Sequence, residues 1–335
     1  MNTIATILML VIAPLNAFLP ISNNSSKSNS TSKEISGSVE GIGNNNEILA
    51  LNNAPISAPI YQPIKNDNAY DLAIPNAHAA VIIDVDSKKI LFGSSENEKR
   101  QIASLTKMMT ATLVMEKVSD LDEVVTIDEE AVYSEGTRIG CPRSGYCISQ
   151  RLKVGEKISV LNLLKAMLMN SANDAAIALS KHISGTQDAF VELMNKKAKE
   201  FGLNDSHFCT ASGLEPEGRE SECYSSAYDI GYIATYSMKY DLIWDIMRLP
   251  NNTVITSTDG TCSHTILNTD IVLNDIINCI GGKTGFTPLA GRSLLLAASD
   301  PTGKHKVVAV LLDDPYRWQD IKTMINWTFK SYEWK

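Results

Sequence analysis

One segment constrains this chain more than any other. Residues Gln101–Lys117 are largely apolar over about four helical turns and contain neither glycine nor proline. Such a run predicts a helix that is buried on nearly all sides. Ser104 and Lys107 interrupt it near its start, and their spacing of three places both on one helical face. Because burial disfavours the charged form of a lysine, a lysine there needs a partner or a task, and a near-neutral lysine beside a hydroxyl can activate a serine nucleophile.

The S-x-x-K pattern is weak evidence by itself. Serine and lysine are common, and Ser30–Lys33 is a second match in a polar segment. An N-cap serine followed by a lysine whose charged end reaches solvent would give the same pattern at Ser104 and Lys107. The choice between these interpretations depends on motifs further along the chain.

The N-terminal part of the chain predicts export. Residues 1–20 are uncharged and strongly apolar from Ile4 to Ala13, a length that is short for a membrane span. We interpret them as a signal peptide cleaved after Ala17, or as an N-terminal anchor if cleavage does not occur. Residues 21–70 are rich in Ser and Asn without periodicity, which predicts a disordered linker. The protein is therefore expected outside the cytoplasmic membrane, secreted or attached to its outer face by the N-terminus.

The remaining residues predict one α/β (α+β) domain with β-strands at both ends. A β-hairpin is expected over residues 77–92, and residues 119–267 are mostly helical in pattern. Three further strands are expected at 279–286, 292–298 and 306–312, before a last helix at 318–332. This order predicts that the two ends of the domain meet in one sheet, with a helical lobe inserted between them.

The net charge and the cysteine content argue against some classes of protein and favour others. The net charge of −8 argues against nucleic-acid binding, and no basic stripe interleaved with aromatic residues occurs. The six cysteines fall as three local pairs, which favours disulfides in an exported protein, with free buried thiols as the alternative. The pairs are Cys141/Cys147, Cys209/Cys223 and Cys262/Cys279. Zinc is the weaker option, because the five histidines are scattered and neither H-E-x-x-H nor C-x-x-C is present.

Two further short polar segments interrupt apolar stretches of the sequence. Ser171–Asn173 interrupts a helical pattern, and Lys283–Gly285 lies on a predicted strand between glycines that let a substrate backbone approach closely. S-x-x-K, a middle S-x-N motif and K-T-G, in this order, mark penicillin-binding proteins and class A β-lactamases. All three occur here on the expected helix, loop and strand.

The longer sequence segments around these motifs resemble one family within this group of proteins. S-L-T-K-M-M-T, M-L-M-N-S-A-N-D-A-A-I-A-L and G-G-K-T-G-F-T-P-L-A-G-R-S-L resemble low-molecular-mass penicillin-binding proteins that are serine-type D-alanyl-D-alanine carboxypeptidases, peptidase family S11. The resemblance covers roughly residues 74–335, which we take as the catalytic domain. It implies the penicillin-binding protein/β-lactamase-like fold: an antiparallel five-stranded sheet with flanking helices and an inserted helical subdomain. The active site would lie in the cleft between the two lobes.

The resemblance also implies catalytic roles. Ser104 would attack the carbonyl between two terminal D-alanines, Lys107 would accept its proton, and Ser171 would relay a proton to the leaving amine. Water would then hydrolyse the acyl-enzyme. Neither a metal nor an organic cofactor is implied. The expected partners are peptidoglycan stem peptides ending in D-Ala-D-Ala, with β-lactams as covalent inhibitors, and the membrane is contacted only through the N-terminal segment.

The implied substrate-binding residues are Asn173, Lys283, Thr284, Gly285 and Phe286. Asn173 would hydrogen-bond the substrate backbone and hold Lys107 in place. Lys283 would attract the terminal carboxylate, and Thr284 would donate a hydroxyl hydrogen bond. The backbone N–H groups of Ser104 and Phe286 would form the oxyanion hole.

Three features depart from the family pattern. Ala172 replaces the usual glycine of the middle motif, and residues 139–151 are longer than expected and contain two cysteines. Many relatives continue into a β-rich second domain and an amphipathic anchor, whereas this sequence ends just after its last predicted helix. Any membrane attachment is therefore expected to come from the N-terminus.

Two other functions fit parts of the pattern. Glu200–Asn204 spells the E-x-x-L-N of class A β-lactamases, in which the glutamate activates the deacylating water. Glu200 instead reads as a solvated residue at the end of an amphipathic helix that stops at Gly202. A catalytically silent module that binds cell wall or senses penicillin is the third reading, and the intact Ser104/Lys107 pair argues against it.

Overall fold

The computed structural model describes residues 61–141 and 146–335. The predicted signal segment and most of the predicted linker lie outside the described residues. Within the described part, the strands in chain order are β1 (Pro63–Lys65), β2 (Ala79–Asp84), β3 (Ile90–Ser94), β4 (Val124–Thr126), β5 (Lys157–Ser159), β6 (Thr253–Thr256), β7 (Ser263–Ile266), β8 (Cys279–Thr287), β9 (Gly291–Ser299), β10 (Lys306–Leu312) and β11 (Tyr332–Trp334). The α-helices there are α1 (Lys107–Lys117), α2 (Glu129–Val132), α3 (Val160–Met169), α4 (Asn173–Ser184), α5 (Gln187–Glu200), α6 (Ala227–Ser237), α7 (Asp241–Met247) and α8 (Arg317–Ser331).

A five-stranded antiparallel sheet in the order β3-β2-β10-β9-β8 joins the two ends of the domain. The N-terminal hairpin β2–β3 enters the sheet because β2 pairs with β10, in the register Ala79↔Leu312. Strand β8, which carries the K-T-G motif, lies at the opposite edge. The predicted fold class, with strands from both ends in one sheet and helices inserted between them, is confirmed.

Both faces of the sheet are covered by apolar side chains. Successive residues of a strand point to opposite faces, and β2 shows this alternation. Val81 and Ile83 pack into the larger core with α1 and α6, while Ala80 and Ile82 pack into a second core. The second core lies under α8, whose Trp327 is buried there. The central strands are therefore apolar at nearly every position, a pattern typical of strands buried on both faces.

The helical lobe contains the predicted break in a long apolar segment. Helix α3 ends at Met169 and α4 begins at Asn173, so that the middle motif forms the corner between them. Ser159 caps α3 by accepting a hydrogen bond from the Asn162 backbone N–H, and α5 is capped in the same way by Thr186.

Residues 119–267 are less helical than predicted. Two short antiparallel strand pairs, β4–β5 and β6–β7, lie within this region. Strands of three or four residues span too few alternations to give a period-2 pattern, and β4 and β5 pair across about 30 intervening residues. Their pairing is therefore a tertiary feature that local periodicity does not reveal.

The predicted linker extends too far toward the C-terminus. Strand β1 lies inside the predicted range 21–70 and pairs with β11 at the other end of the chain, in the register Pro63↔Trp334. The Asn66 backbone N–H also donates to the carbonyl of Ser331. Polar composition suggested a linker here, but this segment is held by backbone hydrogen bonds, which composition does not predict.

Two of the three cysteine pairs form disulfides. Cys141 bonds to Cys147, and Cys209 bonds to Cys223. The predicted pairing of Cys262 with Cys279 is wrong, and both are free thiols. Cys262 immediately precedes β7 in the helical lobe and is partly exposed, whereas Cys279 begins β8 and packs in the second core. The short spacing of these two cysteines in the sequence therefore suggested a wrong pairing, because the two residues belong to different layers of the fold.

No described helix has both the length and the apolar character needed to cross a membrane. Among the described residues, no cluster of three or more histidine, cysteine or acidic side chains has the arrangement of a metal site.

Candidate active site

Ser104 lies on a 3-10 turn, Ala103–Thr106, that leads directly into α1. The predicted single helix is therefore two elements, with Lys107 as the first residue of the α-helix. Ala103 has a φ of 48°, an uncommon value for a residue with a Cβ, and such strained positions cluster at functional sites. Gly213 packs against this turn so closely that a Cβ there would lie 2.0 Å from the Ala103 carbonyl oxygen.

Lys107 is fully buried, and its amine has three oxygen neighbours. Nζ lies 2.8 Å from Asn173 Oδ1, 2.6 Å from the Ser212 carbonyl oxygen and 3.1 Å from Ser104 Oγ. The first two oxygens are acceptors only, since Asn173 Nδ2 is the amide atom that donates to the Glu135 carbonyl. A neutral amine would use its two hydrogens on these acceptors. Its lone pair would then face the hydroxyl of Ser104.

The surroundings of Lys107 favour this neutral state. Burial lowers the pKa of Lys107 well below its ordinary value, and the positive charge of Lys283 lowers it further, while Asp174 acts in the opposite direction. Asp174 is itself buried, which raises the pKa of its carboxyl to about 7 despite hydrogen bonds from the backbone N–H groups of Ile139 and Ala175.

Ser171 and Lys283 form a second hydrogen-bonded pair. Ser171 stands at the corner between α3 and α4 with a φ of 58°, again in the left-handed region. Lys283 Nζ lies 2.9 Å from Ser171 Oγ and 2.9 Å from the Thr284 carbonyl oxygen. A charged ammonium has three hydrogens, so one hydrogen remains for a further acceptor.

Lys283 is fully buried, and this lowers its pKa to about 7. Asp270 opposes the shift and Arg317 reinforces it. At neutral pH the group is thus close to its titration midpoint, and a bound carboxylate would favour its charged form.

The glycine of the K-T-G motif permits close contact between β8 and the turn that carries Ser104. A Cβ at Gly285 would lie 2.9 Å from the Ile102 carbonyl oxygen, a separation that real Cβ atoms do not adopt. Arg317 Nη1 donates to the Gly285 carbonyl oxygen at 2.9 Å and to that of Ser293 at 3.0 Å. The end of β8 is thereby held against Ser104, with Phe286 as the next residue along the strand.

A cavity of about 160 Å³ lies where these elements meet. Its lining contains five residues predicted from the sequence and three others: Ser104, Ser171, Thr284, Gly285 and Phe286, with Thr137, Thr269 and Arg317. Lys107, Asn173 and Lys283 are joined to this lining by the hydrogen bonds described above. All eight residues singled out from the sequence therefore belong to one cluster.

Besides Thr137 in the cavity lining, sequence reasoning missed three contributors. Thr269 Oγ1 lies 2.7 Å from Thr284 Oγ1, Arg317 donates to the Gly285 carbonyl of β8, and the Ser212 carbonyl accepts from Lys107. None of the three lies in a recognisable motif. A backbone carbonyl in particular has no sequence signal, because every residue carries one.

Glu200 lies away from this cavity. It is the last residue of α5, its side chain is 48% exposed, and its nearest charged partner is Lys197 at 3.2 Å. The interpretation of Glu200 as a solvated helix residue, rather than as a base for a deacylating water, agrees with this position.

Comparisons with known proteins give one consistent result. The sequence profile of the family described as D-alanyl-D-alanine carboxypeptidase matches residues 66–316. The D-alanyl-D-alanine carboxypeptidase DacF of Bacillus subtilis is 33% identical over 265 residues, covering 77% of this chain. The chain spans 63% of that relative's length.

Two solved structures share the fold. A D-alanyl-D-alanine carboxypeptidase of Mycobacterium tuberculosis is 27% identical with a TM-score of 0.68, over 80% of this chain and 96% of the other. Penicillin-binding protein D2 of Listeria monocytogenes, solved in an ampicillin-bound form, is 26% identical with a TM-score of 0.64, over 78% of this chain and all of the other. With three quarters of its length matched by the profile, the chain belongs to the D-alanyl-D-alanine carboxypeptidase family, peptidase family S11.

Proposed function

We propose that this protein is a serine D-alanyl-D-alanine carboxypeptidase that removes the terminal D-alanine from peptidoglycan stem peptides. The observation that carries the proposal is the buried amine of Lys107, 3.1 Å from Ser104 Oγ and held by two acceptor oxygens. In its neutral form this amine accepts the proton of Ser104 as the hydroxyl attacks the carbonyl between the two D-alanines.

The rest of the cluster has matching tasks. The backbone N–H groups of Ser104 and Phe286 stabilise the oxyanion, and Ser171 passes a proton to the leaving D-alanine. Lys283 and Thr284 bind the terminal carboxylate, while Asn173 holds Lys107 and contacts the substrate backbone. Water hydrolyses the resulting ester on Ser104 and restores the enzyme.

The same attack opens a β-lactam ring and leaves a penicilloyl ester on Ser104. β-Lactams are therefore proposed as covalent inhibitors. This activity places the protein outside the cytoplasmic membrane, and the two disulfides support that location, because disulfides persist in oxidising compartments. Attachment through the N-terminal segment remains a proposal from the sequence.

The function is tested by D-alanine release from a peptide ending in D-Ala-D-Ala and from the same peptide with an amidated terminus. Lys283→Ala is expected to lower kcat/KM on the free-acid peptide by roughly 10- to 150-fold, since a charge-assisted contact contributes about 1.5–3 kcal/mol. The amidated peptide should be a poor substrate for the wild type and respond little to the substitution. Equal losses on both peptides would show that Lys283 has a different role.

The buried lysines also predict the pH dependence of kcat/KM. Because Lys283 must be charged to attract a carboxylate and its pKa is about 7, activity on the free-acid peptide should fall as the pH rises above about 7. Lys107 must be neutral, so activity should also fall toward acid pH as that amine becomes protonated. The alkaline decline should be absent with the amidated peptide, and an identical decline with both peptides would contradict this assignment.

A further inference from the structure

A buried acid that the proposed mechanism does not use lies next to the strand of the K-T-G motif. Asp270 belongs to the connection between β7 and β8 and is only 6% exposed. The hydroxyl of the residue before it, Thr269, is hydrogen-bonded to the hydroxyl of Thr284. This part of the connection therefore packs directly against the K-T-G motif.

The carboxylate of Asp270 occupies space that a side chain at position 282 would fill. A Cβ at Gly282 would lie 2.2 Å from Asp270 Oδ2, a separation that real Cβ atoms do not adopt. Gly282 immediately precedes Lys283 on β8. The glycine before the K-T-G motif thus allows a carboxylate to approach the strand at this point.

Only one oxygen of this carboxylate has a hydrogen-bond donor. Oδ1 accepts from the Val272 backbone N–H at 3.0 Å, whereas Oδ2 is buried without a hydrogen-bond partner in the described part of the chain. A buried oxygen without a donor is costly and needs a compensating interaction. Burial raises the pKa of Asp270 to about 6, against the positive charges of Arg317 and Lys283, which favour the anion. The carboxyl is therefore largely ionised at neutral pH.

Asp270 acts on Lys283 without occupying the hydrogens of its amine. Successive residues of a strand point to opposite faces, so the carboxylate at Gly282 and the side chain of Lys283 lie on opposite faces of β8. The hydrogen bonds of Lys283 Nζ go to Ser171 and to the Thr284 carbonyl. The negative charge of Asp270 thus favours the ammonium form through its electric field, and one hydrogen of that ammonium stays available to a substrate.

The other charged groups of the described elements around β8 do not replace Asp270. Burial lowers the pKa of Lys283, Arg317 of α8 lowers it further, and Lys107 of α1 repels a charged Lys283 when it is itself protonated. The remaining charged groups are engaged elsewhere or exposed: Asp174, Glu215 and Asp314 accept hydrogen bonds from groups other than Lys283, and Asp241, Asp245 and Arg292 are exposed.

We infer that Asp270 is a positioning residue for the terminal carboxylate of the substrate: its negative charge, set against Gly282, keeps Lys283 in the ammonium form that attracts this carboxylate. The inference rests on the proposed function, in which Lys283 binds the terminal carboxylate. Asp270 then extends the activity of the enzyme toward alkaline pH.

The test is the pH profile of kcat/KM for D-alanine release by Asp270→Asn, measured on the peptide that ends in free D-Ala-D-Ala. An asparagine keeps the acceptor for the Val272 N–H and removes the charge. A nearby charge changes a pKa by roughly one pH unit or more, so the alkaline decline should move to lower pH by about one unit. Relative to the wild type, kcat/KM should fall roughly 10-fold at pH 8 and about twofold at pH 6.

Two controls separate the charge from a structural role. Asp275 lies in the same connection but is exposed and paired with Lys322, so Asp275→Asn should retain the wild-type profile. The amidated peptide has no carboxylate for Lys283, so Asp270→Asn should cause no pH-dependent loss on it. Thermal unfolding shows whether each variant is folded. If Asp270→Asn does not fold, Asp270→Ser makes the same test, because a hydroxyl can also accept from the Val272 N–H.

An alkaline decline at the same pH in Asp270→Asn and in the wild type would overturn the inference, while D-alanine release upheld the proposed function. An equal loss at pH 6 and pH 8 would do the same, since it would show a structural role. Failure of the wild type to release D-alanine would overturn both.

Discussion

Ser104→Ala is expected to abolish both D-alanine release and covalent labelling by a fluorescent penicillin. In the proposed mechanism both reactions begin with attack by Ser104 Oγ, and no other hydroxyl lies within hydrogen-bonding distance of the Lys107 amine in the described part of the chain. Loss of a nucleophile that acts together with its base typically lowers kcat by about 10⁶. The measurements are label on a denaturing gel and D-alanine formed per enzyme. Labelling of the Ser104→Ala protein would place the nucleophile elsewhere.

The lifetime of the label in the wild type distinguishes the proposed carboxypeptidase from a β-lactamase. A β-lactamase must present a base-activated water to the ester, and Glu200 does not line the cavity but lies half-exposed beside Lys197. The penicilloyl group is bulky and cannot diffuse away as D-alanine does, so it should obstruct the water. We expect the label to persist through a chase of minutes, and Glu200→Gln to leave its lifetime unchanged. Rapid loss of label that Glu200→Gln slows would identify a β-lactamase.

Lys107→Arg is expected to lower the rate of penicillin acylation by about 10²- to 10⁴-fold, the usual contribution of a general base. A guanidinium remains charged at every accessible pH and has no lone pair to accept the proton of Ser104. The loss should therefore persist at high pH. It is measured as the second-order rate constant of labelling.

Lys107→Met provides the comparison, because a thioether is smaller than a guanidinium and also lacks a basic nitrogen. Both variants should be slow, while circular dichroism shows whether each is folded. Near-normal acylation by Lys107→Arg would mean that Lys107 acts through its charge and not as a base. The same conclusion would follow if Lys107→Met were labelled slowly and Lys107→Arg were not.

Much of the fold and the cluster was predictable from local sequence. The apolar sequence around Ser104 and Lys107 predicted burial, and in the structure Lys107 has no exposed surface. The glycines around Lys283 predicted close backbone contact, and Gly285 lies against the turn that carries Ser104. These predictions worked because burial and close approach depend on the kind of residue at each position.

Other features depend on partners that are distant in sequence. Lys107 is held by Asn173 and by the Ser212 carbonyl, which are 66 and 105 residues away. Strand β1 is ordered by β11, and Cys262 and Cys279 lie in different layers although they seemed a local pair. Arg317, which donates to the Gly285 carbonyl, is 32 residues away from it.

The sequence alone therefore indicated which side chains we propose for the chemistry, since only particular residue types can supply a nucleophile, a base and a cation. The tertiary structure decided how these side chains are held and what surrounds them. The acceptors that orient Lys107 include a backbone carbonyl, and the cavity of about 160 Å³ collects residues from several loops, a strand and a helix. Backbone groups are the same at every position. Only the path of the folded chain determines which of them reaches the amine.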